Sequence, residues 1–125
     1  MLARCSCGVS KAEIQEMGHT VETQLPIGST EAQVSKFLYD RHIEHRTPSI
    51  VPEDPVPRYR QLRKIGATIE NFWGSEPAMY VAFYFDKGKL VESRVSNACG
   101  FGCYSVRQNK SFETDNRDVF RDLCD

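Results

Sequence analysis

Leu25-Pro26-Ile27-Gly28-Ser29-Thr30-Glu31-Ala32-Gln33-Val34 reads as a tight turn that launches a helix. Ser29 and Thr30 are both good N-caps, and Thr30-Glu31-Ala32-Gln33 is a capping box, in which two orphan backbone N–H groups are satisfied reciprocally. Val34, Phe37, Leu38 and Arg41 follow at helical spacing, three of the four apolar, so an amphipathic helix is expected over about Thr30–His42. Glu31 sits near its positive end and Arg41 near its negative end, each favoured by the helix dipole.

Upstream, residues 1–9 read as a flexible tail, and residues 10–125 as a single domain. Ser10-Lys11-Ala12-Glu13 is a second capping box. With Ile14 and Met17 following and Gly18 as a stop, it predicts a short first helix, about Lys11–Met17. Thr20–Leu25 is expected to be a linker or short extended piece. Downstream, Pro48, Pro52, Pro55 and Pro57 exclude a helix or central strand from residues 46–57, which are expected to form a surface loop.

Strand signals fill the next part of the chain. Leu62–Phe72 alternates, with Gly66 as a bulge site; Met79–Phe85 is rich in aromatic and β-branched residues. Asp86-Lys87-Gly88-Lys89 is a hairpin connection, and Leu90–Val95 alternates Leu90, Glu92 and Arg94 against Val91, Ser93 and Val95. Tyr104–Val106 is a candidate edge strand, and Val119, Phe120 and Leu123 suggest a last short helix. Strands joined by tight turns are antiparallel, and helices that precede them must cover one face. The expected fold is α+β in two layers, with two N-terminal helices on one face of an antiparallel sheet of three to four strands.

Two of these segments together resemble a known group. The order apolar-Pro-Ile-Gly-Ser-Thr, Val34, Leu38, and later Phe85-Asp86, Gly88-Lys89-Leu90-Val91 is similar to that of the small bacterial lipoproteins of the SmpA/OmlA/BamE type. These share with β-lactamase inhibitor protein a fold of two helices on an antiparallel sheet. The resemblance covers about half of the chain; the proline loop and the paired cysteines depart from it. It implies a non-enzymatic protein-binding or assembly module of the bacterial cell envelope, in the periplasm or on the inner leaflet of the outer membrane.

Five cysteines, Cys5, Cys7, Cys99, Cys103 and Cys124, lie in tails and loops. Cys5-x-Cys7 and Cys99-x₃-Cys103 offer four thiolates to zinc, although the spacings are poorer than paired C-x₂-C knuckles. Disulfides in an oxidising compartment and free thiols in the cytoplasm are the other readings. The resemblance implies one division of the odd count: lipid on Cys5 as a membrane attachment, with Cys7, Cys99, Cys103 and Cys124 forming disulfides. Arg4 stands where a lipobox has a small residue. The alternative is a cytoplasmic metal-binding or thiol-dependent small protein using Cys5, Cys7, Cys99 and Cys103.

Other signals have plain explanations. His42 and His45 straddle a helix end, which suits a solvated, dipole-favoured terminus better than a metal site. Arg58-Tyr59-Arg60-Gln61-Leu62-Arg63-Lys64 is expected at a solvated strand edge, and a net charge of -1 supplies no field for nucleic acid. No nucleophile elbow, triad or phosphate-cradling loop occurs, so neither a catalytic residue nor a cofactor is expected. Tyr80 and Tyr84 share the sheet face opposite Val81, Phe83 and Phe85. With Arg58 and Arg60 they form a candidate surface for a protein partner.

Overall fold

The computed structural model describes residues 11–54, 56–70, 77–97 and 105–109. All five cysteines and the expected last helix lie outside these residues. Helices α1 (Lys11–Gln24) and α2 (Glu31–Asp40) precede strands β1 (Ser49–Ile50), β2 (Arg63–Glu70), β3 (Pro77–Asp86), β4 (Lys89–Asn97) and β5 (Ser105–Asn109). The five strands form one sheet in the order β1-β2-β3-β4-β5, every neighbouring pair antiparallel. Both helices contribute to a core on one sheet face, which is the α+β architecture expected. The strand beyond the expected three to four is the two-residue β1, which lies within the proline-rich stretch.

The core follows the two periodicities. Ile14 and Val21 of α1, with Leu25 just beyond it, and Val34, Phe37 and Leu38 of α2 meet Ile65, Ala67, Val81, Phe83, Phe85, Leu90 and Val95 of the sheet. Phe83 is fully enclosed, and burying a side chain of its kind contributes about 1.5–3 kcal/mol.

The first helix is longer than expected because Gly18 does not end it. Gly18 lies in the middle of α1, where a Cβ would stand 2.8 Å from Val106 Cγ1 of β5. Its smallness serves close packing against β5, and the helix runs on through the stretch read as a linker. Likewise Gly66 is not a bulge site: it pairs in register with Ala82, and the side chain of Tyr80 lies across it. The irregularity in β2 falls between Ile69 and Glu70.

α2 begins as its sequence dictates. Gln33 N–H donates to Thr30 Oγ1 at 3.1 Å, and Thr30 N–H donates to Gln33 Oε1 at 2.8 Å. It ends at His42, whose φ is 58°. His42 N–H bonds to Tyr39 C=O and Ile43 N–H to Leu38 C=O, a Schellman closure with Ile43 and Leu38 in the same core.

The turn before α2 meets the hairpin β3–β4. Gly28 N–H donates to Leu90 C=O at 2.8 Å, Leu90 N–H donates to Ser29 C=O at 2.7 Å, and Thr30 bridges to Lys89. On the same edge of β4, the described pairing with β5 runs to Asn109, opposite Glu92. The turn thus occupies the β4 edge next to the hairpin.

The hairpin itself has two loop residues, Lys87 at φ 54° and Gly88 at φ 82°, as a type I′ turn demands. A Cβ on Gly88 meets nothing within 4 Å, so substitution there tests backbone conformation alone. Gly88→Ala is expected to lower stability by about 1 kcal/mol, and Gly88→Asn to recover much of that. Urea midpoints at unchanged slope are the readout.

Candidate functional site

Tyr59, Tyr80 and Tyr84 gather with Arg58, Lys64 and Glu92 on the outer sheet face, away from the helix-side core. That face is covered by the connection between β1 and β2, which folds back as a 3₁₀ turn, Pro57–Gln61. Pro57 suits the first position of such a turn because no N–H is lost there. Asp54, buried, accepts the Val56 N–H at 3.0 Å through its carboxylate, and Arg60 Nε donates to the Asp54 carbonyl at 2.7 Å. These bonds shape the connection into a strap.

Val56 and Tyr59 of the strap pack on Ala82, Tyr84 and Val91. The Tyr59 and Tyr84 rings stack with centroids 3.8 Å apart and planes 17° from parallel. Tyr84 is therefore buried, and the exposure expected for it is not found. Tyr80 is half-buried and Arg60 exposed. Arg58 is turned inward, its side chain only 19% exposed. The basic run is thus not a solvated strand edge: its first part is the 3₁₀ turn. Lys64 lies 5.4 Å and 5.7 Å from the ring centres of Tyr80 and Tyr84, with its ammonium 4.0 Å from Asp54.

Glu92 is the centre of the cluster, with none of its surface exposed. Arg58 Nη2 donates to both carboxylate oxygens, at 3.1 Å and 3.3 Å, and the Tyr59 hydroxyl donates to Oε2. Arg107 of β5 approaches Oε2 at 3.8 Å. A buried carboxylate is tolerated only when paired and hydrogen-bonded in this way. Its position depends on a bulge. Tyr84 pairs with Glu92 but Phe85 pairs with Leu90, so Val91 is an extra residue in β4. Leu90 consequently joins the helix-side core, while Val91 and Glu92 both serve the outer face. The simple alternation expected for Leu90, Glu92 and Arg94 breaks at that point.

Glu92 and Tyr59 were not among the candidate residues of the sequence. A glutamate at a polar position of an alternating strand reads as solvated, and nothing local marks the strap that encloses it.

Chemically the cluster is a closed lock: its carboxylate is wholly buried and holds hydrogen bonds from Arg58 and Tyr59. His42 is exposed, and His45 Nδ1 lies 3.0 Å from the Ile43 carbonyl. Among the described residues no group of three or more His, Cys, Asp or Glu side chains is placed to hold a metal ion, and no helix is long and apolar enough to cross a membrane. Two open depressions flank the end of α2, one of about 370 Å³ over Phe37 and one of about 470 Å³ beside Ile43 and Ile69. No protein-family model matches the chain, and no curated protein or solved structure matches it significantly.

The lock makes two measurable demands. Glu92→Gln leaves the facing guanidinium groups without their buried anion and is expected to lower stability by about 3–5 kcal/mol. Tyr59→Phe removes one hydrogen bond to a charged group and should cost about 1.5–3 kcal/mol. Urea unfolding followed by circular dichroism measures both.

The tyrosines also set an alkaline limit. Burial, then the nearby Glu92 charge, raises the Tyr59 phenol well above its ordinary 10.0; burial, then Asp54, does the same for Tyr84. The unfolded chain releases these protons near pH 10, whereas the folded chain keeps them. Stability is therefore full below that pH and falls as pH rises toward the raised values, by up to ~1.4 kcal/mol per pH unit for each ring. Denaturation midpoints should decline accordingly, and Tyr59→Phe should remove one of the two contributions.

Proposed function

We propose that the chain is a non-enzymatic protein-binding or assembly module of the bacterial cell envelope. One observation supports this reading above the others. The two segments that carry the resemblance to the small envelope lipoproteins, Gly28–Thr30 and Lys89–Leu90, are hydrogen-bonded to each other. Their joint occurrence thus has a common physical cause, the seating of two helices against one hairpin. Each segment alone would be an ordinary helix start or an ordinary turn.

The chemistry of the described residues agrees with binding rather than catalysis. The buried Glu92 of the outer face is paired with Arg58, and the protein–protein hot-spot types, tyrosine and arginine, are concentrated there. In this reading Cys5 carries lipid, Cys7, Cys99, Cys103 and Cys124 form disulfides, and the module faces a protein partner from the periplasmic side of the membrane.

Fractionation of cells that express the chain from its full chromosomal reading frame, followed by thiol counting with and without reductant, tests the assignment. The expected result is an envelope protein acylated at Cys5, with its other four cysteines protected until reduction. A cytoplasmic protein with all five cysteines reduced and zinc bound would overturn it in favour of the metal-binding alternative.

A further inference from the structure

We propose that the strap residues 56–62 are an internal occupant of a protein-docking face, and that the partner which displaces them presents an arginine beside an aromatic residue. This rests on the reading of the chain as a protein-binding module and names the chemistry of its partner.

Three observations carry it. First, the strap is attached to the sheet by side chains. Its described backbone bonds are local: Asp54 N–H to Val51 C=O, Tyr59 N–H to Val56 C=O and Leu62 N–H to Tyr59 C=O. Lifting it about its two ends breaks none of the described ladders of the sheet. Second, the apolar cluster beneath it is separate from the helix-side core. Val56 and Tyr59 belong to the outer cluster and not to the one in which α1 and α2 are seated.

Third, the contact has the composition of a recognition site. A guanidinium and a phenol from adjacent residues, Arg58 and Tyr59, converge on one wholly buried carboxylate, while the ring stacks on Tyr84. For stability alone, apolar residues of similar volume would serve as well as a buried ion pair. What such a pair supplies is discrimination, because an occupant lacking the cation leaves buried Glu92 without the two Arg58 hydrogen bonds, its remaining cation being Arg107 of β5 at the longer 3.8 Å. With the strap lifted, the face offers a carboxylate beside an aromatic floor of Tyr84 and Tyr80. An arginine next to an aromatic side chain fits that floor, as the strap itself demonstrates.

The test supplies the strap in trans. A labelled synthetic peptide of residues 56–62 is titrated against the full chain, against the Arg58→Ala/Tyr59→Ala double variant, and against that variant carrying Glu92→Gln as well. Fluorescence anisotropy reports binding. The double variant is expected to bind the peptide saturably. The unaltered chain should bind at least about tenfold more weakly, because its own strap competes at high effective concentration. Adding Glu92→Gln should abolish the peptide's preference for the variant. A folded double variant with no saturable binding, or binding indifferent to Glu92, overturns the proposal.

Hydrogen exchange on the unaltered chain decides the matter where a variant does not fold. The amides of Tyr59 and Leu62 should exchange through an opening that leaves β3 and β4 protected. Equal protection of strap and sheet would overturn the proposal. Neither measurement involves compartment, lipid or cysteine state, so its failure is distinct from failure of the envelope assignment.

Discussion

Leu90 gives both of its backbone polar groups to the turn between the helices, and the rest of the architecture is arranged around that exchange. Its N–H and C=O are bonded to Ser29 and Gly28, while its side chain lies in the helix-side core. The turn thereby continues the sheet edge next to the hairpin, and α2 starts from a fixed point with its capping box already formed. The bulge in β4 is part of the same constraint. One extra residue, Val91, lets Leu90 face the helices while Glu92, two positions on, faces the opposite side. A single irregularity therefore serves two different surfaces.

The two faces of the sheet are built on different physics. The helix side is a conventional apolar core contributed by α1, α2 and strands β2 to β5. The outer side is a thin apolar patch capped by a paired carboxylate, two stacked tyrosines and several arginines. The first kind of packing tolerates substitution as long as volume is kept. The second does not, because removing either member of a buried pair exposes the other to an apolar surrounding. The outer face is thus the more specific and the more brittle of the two.

Local chemistry was legible in the sequence wherever it determined the structure. The capping box of α2, the two-residue hairpin and the alternation of Val81, Phe83 and Phe85 each follow from residues within a few positions of one another. Long-range packing was not legible. Gly18 reads as a helix stop by propensity, yet the decisive contact is with Val106, far along the chain. The fate of Tyr84 depended on Tyr59, which lies in a segment whose prolines hide any periodicity. Arg58 and Glu92 read as two solvated charges because their 34-residue separation gives no local sign of a pair. Alternation in β4 failed at the bulge for a similar reason: the extra residue is set by pairing with β3.

The packing of α1 has a consequence for how the chain is made. The first described helix rests on β4 and β5, and β5 is the last described strand. Gln108 Nε2 donates to the carbonyl of Leu25, a bond that spans 83 residues. The apolar stripe of α1 consequently has no complete seat while the ribosome is still producing β5. Contacts this distant in sequence form slowly. The helix-side packing of α1 is therefore completed only once β5 has paired with β4.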